Sequence, residues 1–303
     1  MKLSKYLHGT RRARLGAMSV ATLAALFSVG LLVALVGGAQ AATGVPLGAA
    51  DSFVVLAGAG VTDTGPTKLN GDLGTFPTTT ITGLSSMTIS GTNHAGDGVT
   101  QQAKTDLVTA FNNAAGQGPT SPISGDLGGR TLTAGVYNSA SSVGLTGTLT
   151  LDAAGNANAV FVFQAGSTLT TASGSQVALT NGAQACNVFW QIGSSATLGT
   201  NSSFRGTIIA QQSITVTTGT TVEGRVLARD GAVTLDTNTI TKPSCVTAPA
   251  TTAATTTAPA TTTTTATTTT TTTTAKKPAK KPAVKAATKT RARPAVRRVG
   301  LTG

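Results

Sequence analysis

Between Val188 and Thr241 the apolar residues return on an 18-residue period. Segments 188–205, 206–223 and 224–241, set one above another, give three apolar columns. The first is Trp190, Ile208 and Val226; the second is Leu198, Val216 and, after a one-residue slip, Leu235; the third is Phe204, Val222 and Ile240. An earlier copy at 160–179 supplies Phe163, Leu169 and Val177, and the intervening TNGAQACN reads as an insertion at an edge. Three short apolar-centred strands per repeat, with Gly and Ser between them, predict one coil of a three-sided β-solenoid whose inward residues make a core only when coils stack. A hairpin meander is the weaker reading, because it has no need of a repeat built from three unlike strands.

Upstream the period changes. From Asp97 to Ala115 apolar residues fall at Val99, Ala103, Leu107, Ala110, Phe111 and Ala114, the stripe of one amphipathic helix. Asp97 or Thr92 suits its N-cap, and Gly116 suits the C′ position. Gln101, Gln102, Lys104, Asp106, Asn112 and Asn113 take the other side. The fold class is therefore mainly β, a solenoid with one long helix packed alongside and covering one side of it.

Strand residues alternate sides. With Leu169, Leu198, Val216 and Leu235 inward, Thr168 and Thr170, Thr197 and Gly199, Thr215 and Thr217, and Thr234 and Asp236 point outward. Beyond them a second, more regular set follows: Thr171 and Ser173, Thr200 and Ser202, Thr218 and Thr220, Thr237 and Thr239. Coils stack about 4.8 Å apart and alternate strand residues lie about 6.6–6.8 Å apart, so two such ranks would form a flat grid of hydroxyls and methyls. An uncharged grid of that kind is able to hold an ice-like water layer. A merely solvated scaffold is the other reading, since Thr is a good strand residue on any solvated face.

Charge divides the chain. The formal net charge is +12. Lys2, Lys5, Arg11, Arg12 and Arg14 open it, and Lys276, Lys277, Lys280, Lys281, Lys285, Lys289, Arg291, Arg293, Arg297 and Arg298 close it, while every acidic residue lies between. The basic start, the apolar run Leu15–Val36 and Ala39-Gln40-Ala41 read as an export signal over residues 1–41. The run also meets the ~20 residues that span a bilayer, so a retained anchor stays open. Residues 42–245 form the folded segment, 246–275 a Thr/Ala/Pro tether with nothing to bury, and 276–303 a disordered basic tail. Behind an export signal the tail's polyanion is an anionic cell-wall polymer or membrane surface rather than nucleic acid, with a solubilising role as the alternative. The expected location is secreted, or extracellular and associated with the cell envelope, and the expected state is a monomer. Cys186 and Cys245 are the two cysteines; export makes a disulfide plausible, and two buried free thiols remain the alternative.

Catalytic signals are weak. The folded segment has one Glu, Glu223, one His, His94, and scattered aspartates, with no repeated acidic pair on one face. His94 and Asp97 in NHAGDG fit a cap and a hydrogen-bonded turn better than a metal site, which needs three or four ligands. No cofactor is expected, nor an enzyme; a polysaccharide-active enzyme and an envelope adhesin or scaffold binding wall polymer or glycan are the competing functions.

Several long motifs then follow in order: LGAADSFVVLAGAGVTDTGPTKLNGDLGTFP (47–77), HAGDGVTQQAKTDLVTAFNNAAG (94–116), LTAGVY (132–137), the stretch 145–199, and GRVLARDGAVTLDTNTIT (224–241). Over roughly residues 45–243 the chain resembles the microbial ice-binding protein family, whose domain is also catalogued as one of unknown function. The resemblance implies a right-handed, discontinuous solenoid of triangular section with a helix alongside. It also implies secretion and adsorption to ice through one flat face, with inhibition of ice growth and recrystallisation. Thr218-Gly219-Thr220-Thr221 fits that family's Thr-Ala/Gly-x-Thr/Asn pattern and Thr171-Ala172-Ser173-Gly174 its first half, while Thr200-Asn201-Ser202-Ser203 and Thr237-Asn238-Thr239-Ile240 depart from it.

Overall fold

The computed structural model describes residues 41–118 and 121–246. The expected export signal (save Ala41), the tether (save Val246) and the basic tail lie outside the described residues.

Every named strand pairing is parallel, which excludes a meander. The chain winds through three faces in turn. Face a runs from Ser121–Pro122 through Gly135–Ser139, Phe161–Ala165 and Val188–Ile192 to the second halves of Ser203–Ala210 and Thr221–Ala228. Face b is a sheet of eight short strands, among them Leu169–Thr171, Ala196–Leu198, Ile214–Val216 and Val233–Leu235. Face c includes Thr148–Asp152, Gln176–Thr180, the first halves of Ser203–Ala210 and Thr221–Ala228, and Thr239–Thr241.

The solenoid is discontinuous in sequence. Phe53–Ala57, Val61–Asp63 and Lys68–Asn70 stack onto the final coil through Val55↔Val226, Thr62↔Thr234 and Lys68↔Thr239. A further coil, made by Asp72–Thr75, Ile81–Thr82 and Thr88–Ile89, lies beyond it. The chain must then return to the opposite end of the stack, and helix α1 (Gly98–Gly116) makes that journey. Seven coil steps of about 4.8 Å need about 34 Å. A 19-residue helix covers about 28 Å of it at 1.5 Å per residue, and its flanking loops supply the rest.

Inside the coils, the face-a column Tyr137, Phe163, Trp190, Ile208, Val226, Val55 and Leu73 is in register. Its rings stack, with centroids 5.3 Å apart for Tyr137–Phe163 and 4.0 Å for Phe163–Trp190. Val177, Phe204, Val222, Ile240 and Leu69 line face c from within. One expectation is corrected here. Leu169 pairs with Val143 and Ala196, so it belongs to the column of Ile214 and Val233 and does not join Leu198, Val216 and Leu235.

A second apolar cluster lies outside face a. Val136, Val162, Phe189, Ile209, Leu227 and Leu56 are covered there by Ala103, Leu107, Ala110, Phe111 and Ala114 of α1. Thr100, not Val99, completes the buried stripe; Val99 is 46% exposed. Thr100 is held in place because its Oγ1 donates to the His94 carbonyl. Asp97 is the N-cap, accepting from Thr100 N at 2.8 Å. Gly116 is the last helical residue rather than C′. The buried amide of Gln164, on face a, closes the helix by donating to Ala114 O and Gln117 O.

Candidate functional site

With face a covered by the helix, two faces meet solvent. Face c carries charge: Lys68 lies in its ladder, and Arg205 and Glu223 form an ion pair across neighbouring strands. Face b differs. Its strands are three residues long or shorter, and in the central coils they read in–out–in, as in Ala196-Thr197-Leu198 and Ile214-Thr215-Val216. Only the middle side chain points outward, and in six consecutive coils it is Thr: Thr170, Thr197, Thr215, Thr234, Thr62 and Thr82, all in register. Five coil steps make the rank about 24 Å long. Gly144 and then Asp126 continue it at one end.

The hydroxyls of this rank are unengaged, a state shared, among the described residues, with Thr88, Thr148, Thr150 and Thr239 on face c. The unbroken, uncharged run over six coils is what sets the rank apart. Among the described residues, none of those six Oγ1 atoms is hydrogen-bonded to the protein, and all six side chains are exposed or half-exposed. Each presents a free hydroxyl and a methyl at a regular spacing. Small residues border the rank on one side: Thr168, Ser195, Ser213, Ala232, Gly60 and Thr80, placed by their carbonyls, which accept from the next strand. On the other side lie Ala172, Gly199, Thr217, Asp236 and Thr64.

The expected second set does not form one surface rank: Thr171, Ser202 and Thr220 are buried, Ser173, Thr218 and Thr237 are exposed, and Thr200 and Thr239 are half-exposed. Four residues take a left-handed backbone at the corner between faces b and c: Gly174 (φ 68°), Asn201 (φ 56°), Gly219 (φ 72°) and Thr237 (φ 54°). Their backbone bonds align them, with Gly174 N on Thr200 O, Asn201 N on Thr218 O and Gly219 N on Asp236 O. Thr237 is thus one position beyond Thr200 and Thr218, and Thr239 lies on face c, paired with Thr221. Immediately after the corner, Ser175, Ser202, Thr220 and Asn238 turn inward and are buried, together with Thr67. They form a polar ladder inside the solenoid. Ser202 Oγ lies 3.1 Å from Ser175 Oγ, Thr220 Oγ1 donates to Gly199 O, and Asn238 Nδ2 donates to Thr217 O. Buried hydroxyls are tolerated because each finds a partner. Thr171 is buried as well, its Oγ1 accepting from Gly199 N at 2.9 Å.

Most of the remaining predicted residues are engaged by the protein itself, Ser173 and Thr239 excepted among the described residues. Thr168 Oγ1 donates to Ser142 Oγ, Thr217 Oγ1 to Leu198 O, and Thr218 and Thr237 to the two carboxylate oxygens of Asp236. Thr200 Oγ1 sits 3.3 Å from Thr217 Oγ1, and Ser173 is exposed at the corner. Of the predicted face, Thr170, Thr197, Thr215 and Thr234 are brought together with free hydroxyls. Thr62 and Thr82 were missed, because their coils share no repeat with the rest. The apolar–Thr triplets Val61-Thr62-Asp63 and Ile81-Thr82-Gly83 were their signal.

Elsewhere, Cys186 and Cys245 are bonded, their Cα atoms 5.9 Å apart. His94 Nδ1 lies 2.7 Å from Asp97 Oδ2, a contact that fixes the turn before the helix. The Thr100 amide and then His94 hold the Asp97 carboxyl below its ordinary range.

Comparison with known proteins agrees with this architecture. The ice-binding-like family model matches residues 55–241. The chain belongs to the ice-binding-like family. An ice-binding protein of Nostoc sp. (strain HG1) is 51% identical over 213 residues, which are 70% of this chain and 78% of that protein. One from Colwellia sp. is 36% identical over 66% of this chain and 84% of its own length. Among solved structures, the ice-binding protein of the Antarctic ascomycete Antarctomyces psychrotrophicus superposes with a TM-score of 0.64 at 49% identity, covering 66% of this chain and 98% of its own. The DUF3494 domain of Shewanella frigidimarina ice-binding protein 1 gives 0.64 at 32% identity, covering 68% of this chain and all of its own. The triangular solenoid, its interrupted winding and the flanking helix are the fold of an ice-binding-like protein.

Proposed function

We propose that this protein binds ice through face b, and that adsorption there inhibits ice growth and recrystallisation. One observation carries the reading: six in-register threonines, in a rank that runs six coils without a charged residue, whose hydroxyls have no partner among the described residues. Each free hydroxyl anchors a water while the methyls between them confine it, so the rank presents ordered water at the coil spacing of about 4.8 Å. Each contact is weak, and adsorption follows from their number. The chemistry asks for no bond making, and the ice surface with its ordered water is the partner of a monomer.

The reading places the protein outside the cytoplasm, secreted or held at the cell envelope, with residues 1–41 as the export signal. The Cys186–Cys245 disulfide accords with an oxidising compartment. The ten cations from Lys276 to Arg298 supply a second, electrostatic partner of anionic character. The test is thermal hysteresis and ice recrystallisation inhibition of the chain purified from an exporting host. Activity in both is expected; absence of both at high concentration overturns the proposal.

A further inference from the structure

The two ends of the threonine rank are unlike. At Thr82 the rank reaches the outermost strand of its sheet, Ile81–Thr82. At Thr170 it stops two coils short of the opposite edge, where Gly144 and Asp126 take the outward positions of Val143–Leu145 and Gly125–Asp126. The solenoid continues there unchanged. Val143 and Leu145 point inward and are buried, and Gly144 pairs with Thr170 as Thr170 pairs with Thr197. Only the outward side chain is missing.

A glycine inside a strand weakens it, and often marks a bulge, a bend or the close approach of another backbone. None of these applies at Gly144. Its pairing with Thr170 shows no register shift, and its backbone is not left-handed. A Cβ placed on it would lie 3.8 Å from Asp126 Cα, 3.9 Å from Gly125 O and 4.0 Å from Asp126 Cγ, ordinary van der Waals contact. Gly199, beside the rank, is the contrast: a Cβ there would come within 2.5 Å of the Ala172 carbonyl carbon, so the fold requires that glycine. The next outward residue is charged. Asp126 Oδ1 accepts from Gly128 N and Thr146 N at 2.8 Å each. The Thr146 hydroxyl and then the Gly128 amide hold the carboxyl below its ordinary range, so it is ionised at neutral pH. An ion's hydration is costly to disturb, and its water follows the carboxylate rather than the coil repeat.

We infer that Gly144 sets the extent of the ice site. Contact runs from Thr82 to Thr170 and ends there because Gly144 opens a gap before the charge of Asp126, although the scaffold for a seventh threonine is already built. The inference rests on the ice-binding reading of face b and adds the boundary of its site. Gly144 acts by omission, as the position that limits how much ice one molecule holds. A threonine there lengthens the rank from about 24 Å to about 29 Å.

The experiment compares wild type, Gly144→Thr, Thr170→Gly and Ala178→Thr as full chains from an exporting host, each with its melting temperature. Ala178 is a half-exposed strand position on face c, paired with Thr150, so its variant reproduces the gain in strand propensity away from the rank. The readout is the concentration that half-inhibits ice recrystallisation. Gly144→Thr is expected to lower it roughly twofold and Thr170→Gly to raise it by a similar factor, the effect of one weak contact on affinity. Ala178→Thr is expected to leave it unchanged. A folded Gly144→Thr no better than wild type overturns the boundary, and so does Thr170→Gly with full activity. Equal gains in Gly144→Thr and Ala178→Thr overturn it as well, since stability alone then accounts for them. A Gly144→Thr chain that fails to fold overturns the claim that this position has room for a side chain. A wild type without inhibition overturns the ice reading on which the boundary depends.

Discussion

Lys104 provides a quantitative test of how helix and solenoid are joined. It sits at the border of the buried stripe of α1, and its Nζ donates to Ala228 O at 2.7 Å and to Arg229 O. Burial pushes its pKa down from 10.5 to about 8; Asp230 opposes the shift and Arg229 adds to it. In the unfolded chain the ammonium keeps its proton until about pH 10.4. Between those values the unfolded state therefore binds more protons than the folded one, and stability rises with pH. The slope approaches about 1.4 kcal/mol per pH unit, and the whole window is worth at most about 3 kcal/mol. Partial solvent access of the side chain brings the expected gain nearer 1.5–2 kcal/mol, roughly half. The neutral amine still donates to both carbonyls, so deprotonation relieves the desolvation cost without breaking the contact. The assay is urea unfolding at pH 7.5, 8.5 and 9.5 for wild type and Lys104→Met. The stability of wild type relative to the variant should climb across the series, by about 1 kcal/mol or more. A flat or falling difference would show that Lys104 is not desolvated and that the helix seat is wetter than described.

Other perturbations follow from the core and the corner. Trp190→Ala removes the centre of the ring stack and should cost about 3–5 kcal/mol in denaturant unfolding. Asn238→Ala strips partners from Thr217 O and from Asp236 N; a loss of about 1–3 kcal/mol is expected, whereas a neutral result would mean that water replaces the ladder. Reduction of Cys186–Cys245, which closes a separation of 59 residues, should lower stability by about 2–4 kcal/mol, read as a lower melting temperature in reductant. No change would mean that Gln184 and Lys242 hold residues 242–246 unaided.

The coils from Phe161 to Thr241 are legible in sequence because one apolar residue per strand repeats on a nearly constant period. The helix is legible for the same reason. Val99 and Thr100 exchanged roles because a Thr whose hydroxyl bonds the His94 carbonyl packs as a small apolar residue. Chain order hides the placement of Phe53–Ile89 on the far end of the stack, since that register joins remote segments without a shared repeat. The corner hides more. Exposed and buried hydroxyls carry the same letters, and only the ladder of Ser175, Ser202, Thr220 and Asn238 shows which ones face inward. The last coil adds a residue before Val233, as the slip at Leu235 signals, and recovers it at Thr237, which displaced the expected match with Thr218 by one. Thr218, bonded to Asp236, is for that reason a poorer probe of the face than Thr215.

The central claim is that face b, and no other, meets ice. Thr215 lies mid-rank on face b with a free hydroxyl, and Thr221 is an exposed strand threonine on face c. The most direct measurement is thermal hysteresis of wild type, Thr215→Tyr and Thr221→Tyr at matched concentration, with melting temperatures confirming that all three are folded. The account predicts that the tyrosine on face b removes most of the activity and the tyrosine on face c leaves it unchanged. Equal activity in all three, or loss confined to Thr221→Tyr, would contradict it.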